Sequence, residues 1–122
     1  MILVVDDHLD MREALAMVLR SEGYRAVTAI DGLEALDMVT REPPDLILLD
    51  YAMPGLDGAG FCQAYRQRGG EAPIVLMTAG LLVTLAEARA ASAHCGAAAL
   101  LPKPFEIDEL LETITRSLPP RT

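Results

Sequence analysis

Hydrophobic residues fall along this chain in two kinds of block. The first kind is short and continuous: Ile2-Leu3-Val4-Val5, Leu46-Ile47-Leu48-Leu49, Ile74-Val75-Leu76-Met77 and Ala98-Ala99-Leu100-Leu101. With a further strand-like stretch at 25–29, these read as five strands, at about 2–5, 25–29, 45–49, 73–77 and 98–101. The unbroken apolar character of the first, third and fourth predicts burial on both faces of a sheet. The second kind of block repeats every three or four residues, as helices do. It comprises Met11, Ala14, Leu15, Val18 and Leu19; then Ala35, Leu36 and Val39; then Phe61, Ala64 and Tyr65. An alanine-rich helix follows at about 83–94, and Ile107, Leu110, Leu111, Ile114 and Leu118 form a final stripe. Strand and helix alternate five times, which predicts an α/β fold with a doubly wound parallel sheet.

Punctuation between the blocks agrees with this division. Asp10, Asp31 and Asp57 stand where helix N-caps are expected, and Glu13 and Glu34 follow the first two at capping-box spacing. Gly23, Gly69-Gly70 and Gly96 stop helices. Pro43-Pro44 ends the second helix and forces an extended entry into the third strand. No repeat or internal linker interrupts the pattern. Residues 1–118 are expected to form one domain, with 119–122 a tail or the start of a linker.

Composition narrows the class. The 122 residues suffice for a real core, and an apolar fraction of 52% excludes a disordered chain. Eighteen acidic against ten basic residues give a net charge of −8, without a basic cluster. That argues against nucleic-acid binding by this domain. The uncharged apolar stretch Thr78 to Ala86, even extended back to Ala72, is too short to span a bilayer. No export signal precedes the first strand, so a cytoplasmic location without membrane association is expected. Cys62 and Cys95 lack metal or redox spacing and read as small reduced core residues. His8 follows the acidic pair and is placed to touch the site, but reads first as a solvated residue at a helix start, and His94 as a surface residue favoured by a helix C-terminus.

Candidate chemistry sits at the strand ends. Asp6-Asp7 follows the first run, Asp50 the third, Thr78 the fourth, and Pro102-Lys103 the fifth. In open parallel α/β sheets, ligands bind beyond the carboxyl ends of the strands. If these runs are neighbours, one crevice holds three carboxylates, a hydroxyl and an ammonium group. Two carboxylates about 4 Å apart repel by roughly 4 kcal/mol at an effective dielectric near 20. A divalent ion such as Mg²⁺ removes that conflict. An aspartate can also act as a nucleophile toward phosphorus, with Lys103 and Thr78 to hold phosphoryl oxygens. Taken singly, each residue has a plainer reading: a turn, a helix cap, a strand terminus or a solvated loop lysine. Their shared position is what joins them.

These residues also carry a family resemblance. Val4-Val5-Asp6-Asp7, Asp31-Gly32-Leu33-Glu34-Ala35-Leu36, Pro44 through Asp50, Met53-Pro54-Gly55-Leu56-Asp57-Gly58, Met77-Thr78-Ala79 and Gly96-Ala97 through Lys103-Pro104-Phe105 occur in one order across nearly the whole chain. In that order they resemble the receiver domain of bacterial two-component response regulators. The resemblance implies a flavodoxin-like five-stranded parallel sheet of order 2-1-3-4-5. It implies that Asp50 accepts a phosphoryl group from a sensor histidine kinase or phosphotransfer protein, as a switch rather than a turnover enzyme. It also implies Mg²⁺ bound directly by Asp7, largely through water by Asp6, and by Asp50 and the backbone carbonyl of Ala52. Thr78, the amide of Ala79 and Lys103 would hold the phosphoryl oxygens, beside a cis Lys103–Pro104 peptide. Output would pass to an output domain or partner protein through the helix at 83–94 and the fifth strand, with a homodimer as one form.

Two positions depart from the receiver pattern. Leu100 stands where receivers carry the Tyr or Phe that moves with the switch threonine, and Pro102 where a small polar residue is common. The stretch Gly80-Leu81-Leu82-Val83-Thr84-Leu85 is unusually apolar, as extra core packing or as an interaction patch. Leu100 leaves room for a pseudo-receiver, a protein-interaction module that works without phosphate. A Mg²⁺-dependent phosphohydrolase is disfavoured, since it would want an acid where Ala52 stands.

Overall fold

The computed structural model describes residues 1–51, 58–79, 89–90, 93 and 95–118. Five strands occur there: β1 (Ile2–Val5), β2 (Ala26–Ala29), β3 (Leu46–Asp50), β4 (Ile74–Ala79) and β5 (Ala99–Lys103). Four helices accompany them: α1 (Leu9–Ser21), α2 (Gly32–Arg41), α3 (Gly58–Gln67) and α4 (Ile107–Ser117). Residues 89, 90, 93 and 95 are also helical, within and just past the helix expected at 83–94. The rest of that helix lies outside the described residues, as do Ala52, the Asp57 cap, the apolar stretch from Gly80, His94 and the tail.

All strand pairings are parallel, in the order β2-β1-β3-β4-β5. This is the doubly wound, flavodoxin-like sheet expected from the sequence. Successive residues of a strand point to opposite faces, and the core divides accordingly. Leu3, Val5, Ile47, Leu49, Ile74 and Leu76 pack with Leu36, Phe61 and Tyr65 of α2 and α3. Ile2, Val4, Leu46, Leu48, Val75 and Met77 pack on the other side with α1 and α4, through Leu15, Leu19, Leu110 and Ile114. Every residue of β1 and β3 is buried, as their continuous apolar runs predicted. Ile74 to Met77 of β4 are buried as well, and at about 1.5–3 kcal/mol per buried Val, Leu or Ile side chain these three strands are the main hydrophobic anchor. In β5, by contrast, only Leu101 is buried.

Several local expectations are corrected. The buried side of α1 is Arg12, Leu15, Ala16 and Leu19. Met11 and Val18 are half-buried and Ala14 faces solvent. Both sets have helical spacing and share Leu15 and Leu19, so periodicity alone did not choose between them. Asp10 is not the cap of α1. The cap position is His8, without a side-chain cap bond, and Asp10 lies in the first turn. At α2 the expected cap is present, with the Asp31 carboxylate accepting from the Glu34 amide at 2.8 Å. Ile107 of the α4 stripe, the first residue of the helix, is exposed. Gly23 ends α1 with φ +88°, a left-handed conformation that favours glycine. Finally, β4 and β5 run longer than expected. Thr78 and Lys103 therefore belong to the strands rather than to the loops beyond them.

Candidate functional site

Register brings the strand-end residues together. Val5 pairs with Leu49 across β1 and β3, so Asp6, Asp7 and Asp50 emerge side by side at the carboxyl edge. Asp50 pairs with Met77, and Ala79 with Lys103, which puts Thr78 and Lys103 on the same edge. The ladder continues past Asp50, where the Tyr51 amide donates to the Met77 carbonyl at 3.0 Å. The Gly58 amide donates to the Tyr51 carbonyl at 3.1 Å. A Cβ on Gly58 would lie 2.7 Å from the Tyr51 Cα, so only glycine permits this approach.

The side chains form a charged cluster. Asp6 is fully buried, and Asp50 and Thr78 nearly so. One Asp6 oxygen, Oδ1, accepts from the His8 amide at 2.9 Å. The other, Oδ2, accepts from Lys103 Nζ at 3.1 Å. Lys103 Nζ also lies 3.6 Å from Asp50 Oδ2. The Asp6 carbonyl accepts from Arg12 NH1 at 3.0 Å. Beside this network the His8 Nδ1 lies 3.4 Å from Asp6 Oδ1 and 3.2 Å from Asp7 Oδ1, while the imidazole is 73% exposed. Leu100 is half-buried and packs on the α2–α3 side of the sheet. The Lys103–Pro104 peptide is cis.

Three carboxylates here face one ammonium group, so the cluster carries surplus negative charge. Asp7 Oδ1 is buried and has no hydrogen-bond partner; the imidazole contact lacks hydrogen-bond alignment. Asp6, Asp7, His8 and Asp50 each offer one ligand atom, and these atoms lie within 4.8 Å of one another. An orphaned buried carboxylate oxygen in a negatively charged cluster fits a hard divalent cation. The chemistry open to such a group is cation binding together with attack by a carboxylate on phosphorus.

Sequence reasoning missed one participant and ranked another too low. Arg12 went unnoticed, although its spacing to Leu15 and Leu19 puts it on the buried stripe. His8 is solvent-exposed as expected, yet its ring touches both carboxylates. A groove of about 580 Å³ lined by Val39, Pro43, Tyr65 and Gly70 among others lies at the opposite end of the sheet. It shares no residue with the carboxylate cluster.

Comparison with known proteins agrees with this fold. The family model described as the response regulator receiver domain matches residues 2–115. The chain belongs to that family and is a two-component signalling domain. It is 45% identical over 121 residues to the response regulator MprA of Mycobacterium leprae, covering 99% of this chain and 51% of that protein. The chain thus spans about half the length of the curated relatives it matches. Among solved structures it is similar to the chemotaxis protein CheY4 of Vibrio cholerae, with a TM-score of 0.88 and 34% identity, over 96% of this chain and 97% of that one. It is also similar to TrrA of Thermotoga maritima, a response regulator solved in complex with Mg²⁺-BeF, with a TM-score of 0.82 and 36% identity over 96% and 97% of the two chains. No described helix is long and apolar enough to cross a membrane.

Proposed function

We propose that this receiver accepts a phosphoryl group on Asp50 from the phosphohistidine of a sensor histidine kinase or phosphotransfer protein. The observation that carries this reading is the pairing of Asp50 Oδ2 with Lys103 Nζ at 3.6 Å, beside the carboxylates of Asp6 and Asp7. In the transfer, an Asp50 oxygen forms the new bond to phosphorus as the phosphorus–nitrogen bond of the donor breaks. Lys103 pairs with a phosphoryl oxygen, and the Thr78 hydroxyl and Ala79 amide hold others. Asp6, Asp7, Asp50 and the Ala52 carbonyl are the proposed holders of Mg²⁺, with Asp7 the direct ligand and Asp6 acting largely through water. When bound there, Mg²⁺ supplies positive charge against the transferred group. The protein acts as a switch and turns over only its own phosphoryl group. Residues 1–118 form the proposed receiver unit. Its proposed output is an effector domain or partner protein reached through the 83–94 helix and β5.

Intact-mass measurement after treatment with acetyl phosphate and Mg²⁺ tests this. A phosphoryl increment is expected, lost with chelator and lost in Asp50→Asn. An increment that survives Asp50→Asn places the acceptor elsewhere. No increment under any condition favours the pseudo-receiver reading, for which Leu100 at the switch position is the supporting observation.

A further inference from the structure

We infer that His8 is an additional protein ligand to the cation of the acidic site, and that the site therefore favours imidazole-preferring divalent ions such as Co²⁺ over Mg²⁺ more strongly than its carboxylates alone would. This rests on the reading of Asp6, Asp7 and Asp50 as a divalent-cation site.

The geometry carries it in three steps. First, six ligands about 2.1 Å from an octahedral ion stand about 3.0 Å from their neighbours and about 4.2 Å from the ligand opposite. His8 Nδ1 lies 3.2 Å from Asp7 Oδ1, the proposed direct ligand, near the neighbour spacing. Asp50 offers an oxygen within 4.8 Å of these atoms, about half an ångström beyond the spacing of opposite ligands. Second, Asp7 Oδ1 is buried without a hydrogen-bond partner, so the atom nearest the imidazole has an unmet demand. Third, the backbone of His8 is pinned on both sides. Its amide donates to Asp6 Oδ1 at 2.9 Å, and its carbonyl accepts from the Arg12 amide at 2.9 Å. Only side-chain torsions remain to place the ring. The imidazole is largely exposed, so Nε2 can face water while a turn about those torsions aims Nδ1 at the ion.

Nitrogen donors raise affinity for first-row transition ions far more than for Mg²⁺, which prefers oxygen. Calorimetric titration with MgCl₂ and with CoCl₂ separately, on the wild-type chain and on His8→Phe and His8→Asn, reads this preference. Co²⁺ affinity is expected to fall about tenfold or more in both variants, while Mg²⁺ affinity changes less than about threefold. The Co²⁺-loaded wild-type protein should also show a paramagnetically shifted imidazole N–H resonance that His8→Phe abolishes. Co²⁺ affinity indifferent to His8, equal losses for both ions, or absence of the shifted resonance overturns the histidine assignment while Mg²⁺ binding survives. A wild-type protein that binds neither ion overturns the cation site itself, and the histidine assignment with it.

Discussion

The entrances to α1 and α2 look alike in sequence and are built differently. Each has an aspartate followed three residues later by a glutamate, Asp10 with Glu13 and Asp31 with Glu34. At α2 the aspartate caps the helix, its carboxylate bound to the Glu34 amide. At α1 the cap position lies two residues before the one its sequence suggests, and Asp10 lies within the first turn. There the amide just ahead of the helix, that of His8, is taken by Asp6, a carboxylate from the end of β1. Arg12 then turns inward to the Asp6 carbonyl and joins the buried side of α1. One entrance is settled by local chemistry. The other is organised around the charged cluster, and its backbone serves to fix Asp6 in place.

Three substitutions sharpen that contrast, and urea denaturation paired with Mg²⁺ titration reads each. Arg12→Ala carries the largest effect. It removes the donor to a buried carbonyl and the packing of the arginine stem, for a loss of about 2 kcal/mol. Because Asp6 then loses a restraint, Mg²⁺ affinity should fall as well. A fall in stability with unchanged Mg²⁺ affinity would detach the α1 entrance from the site. Asp31→Ala comes next, at about 1 kcal/mol for a lost cap bond. It should leave Mg²⁺ affinity untouched, since α2 makes no described contact with the carboxylates. Asp10→Ala should cost least, a few tenths of a kcal/mol from the weakened helix-dipole interaction. A loss equal to that of Asp31→Ala would mean that Asp10 caps α1 in solution after all.

Much of the site was legible because a parallel sheet turns chain order into position. Apolar runs ending in Asp6-Asp7, Asp50, Thr78 and Lys103 mark one edge in the sequence, and the register of β1, β3, β4 and β5 brings those ends together. Strand limits were less legible. Thr78 and Lys103 are polar and looked like loop residues. They remain in strands because β4 and β5 continue to pair through Thr78–Pro102 and Ala79–Lys103. A backbone ladder ends where its partner ends, whatever the side chains are.

By itself the sequence determined the order and kind of the elements, the doubly buried character of β1 and β3, the α2 cap and the glycine stop at Gly23. Each of these depends on residues close together in the chain, or on the period with which a face repeats. Tertiary structure alone decided which face of α1 turns inward, that His8 touches two carboxylates, and that Lys103 divides its charge between Asp6 and Asp50. Those outcomes depend on distances between groups up to ninety-seven positions apart, such as Asp6 and Lys103. Charge in a buried, low-dielectric cluster acts across such separations, and periodicity does not record it.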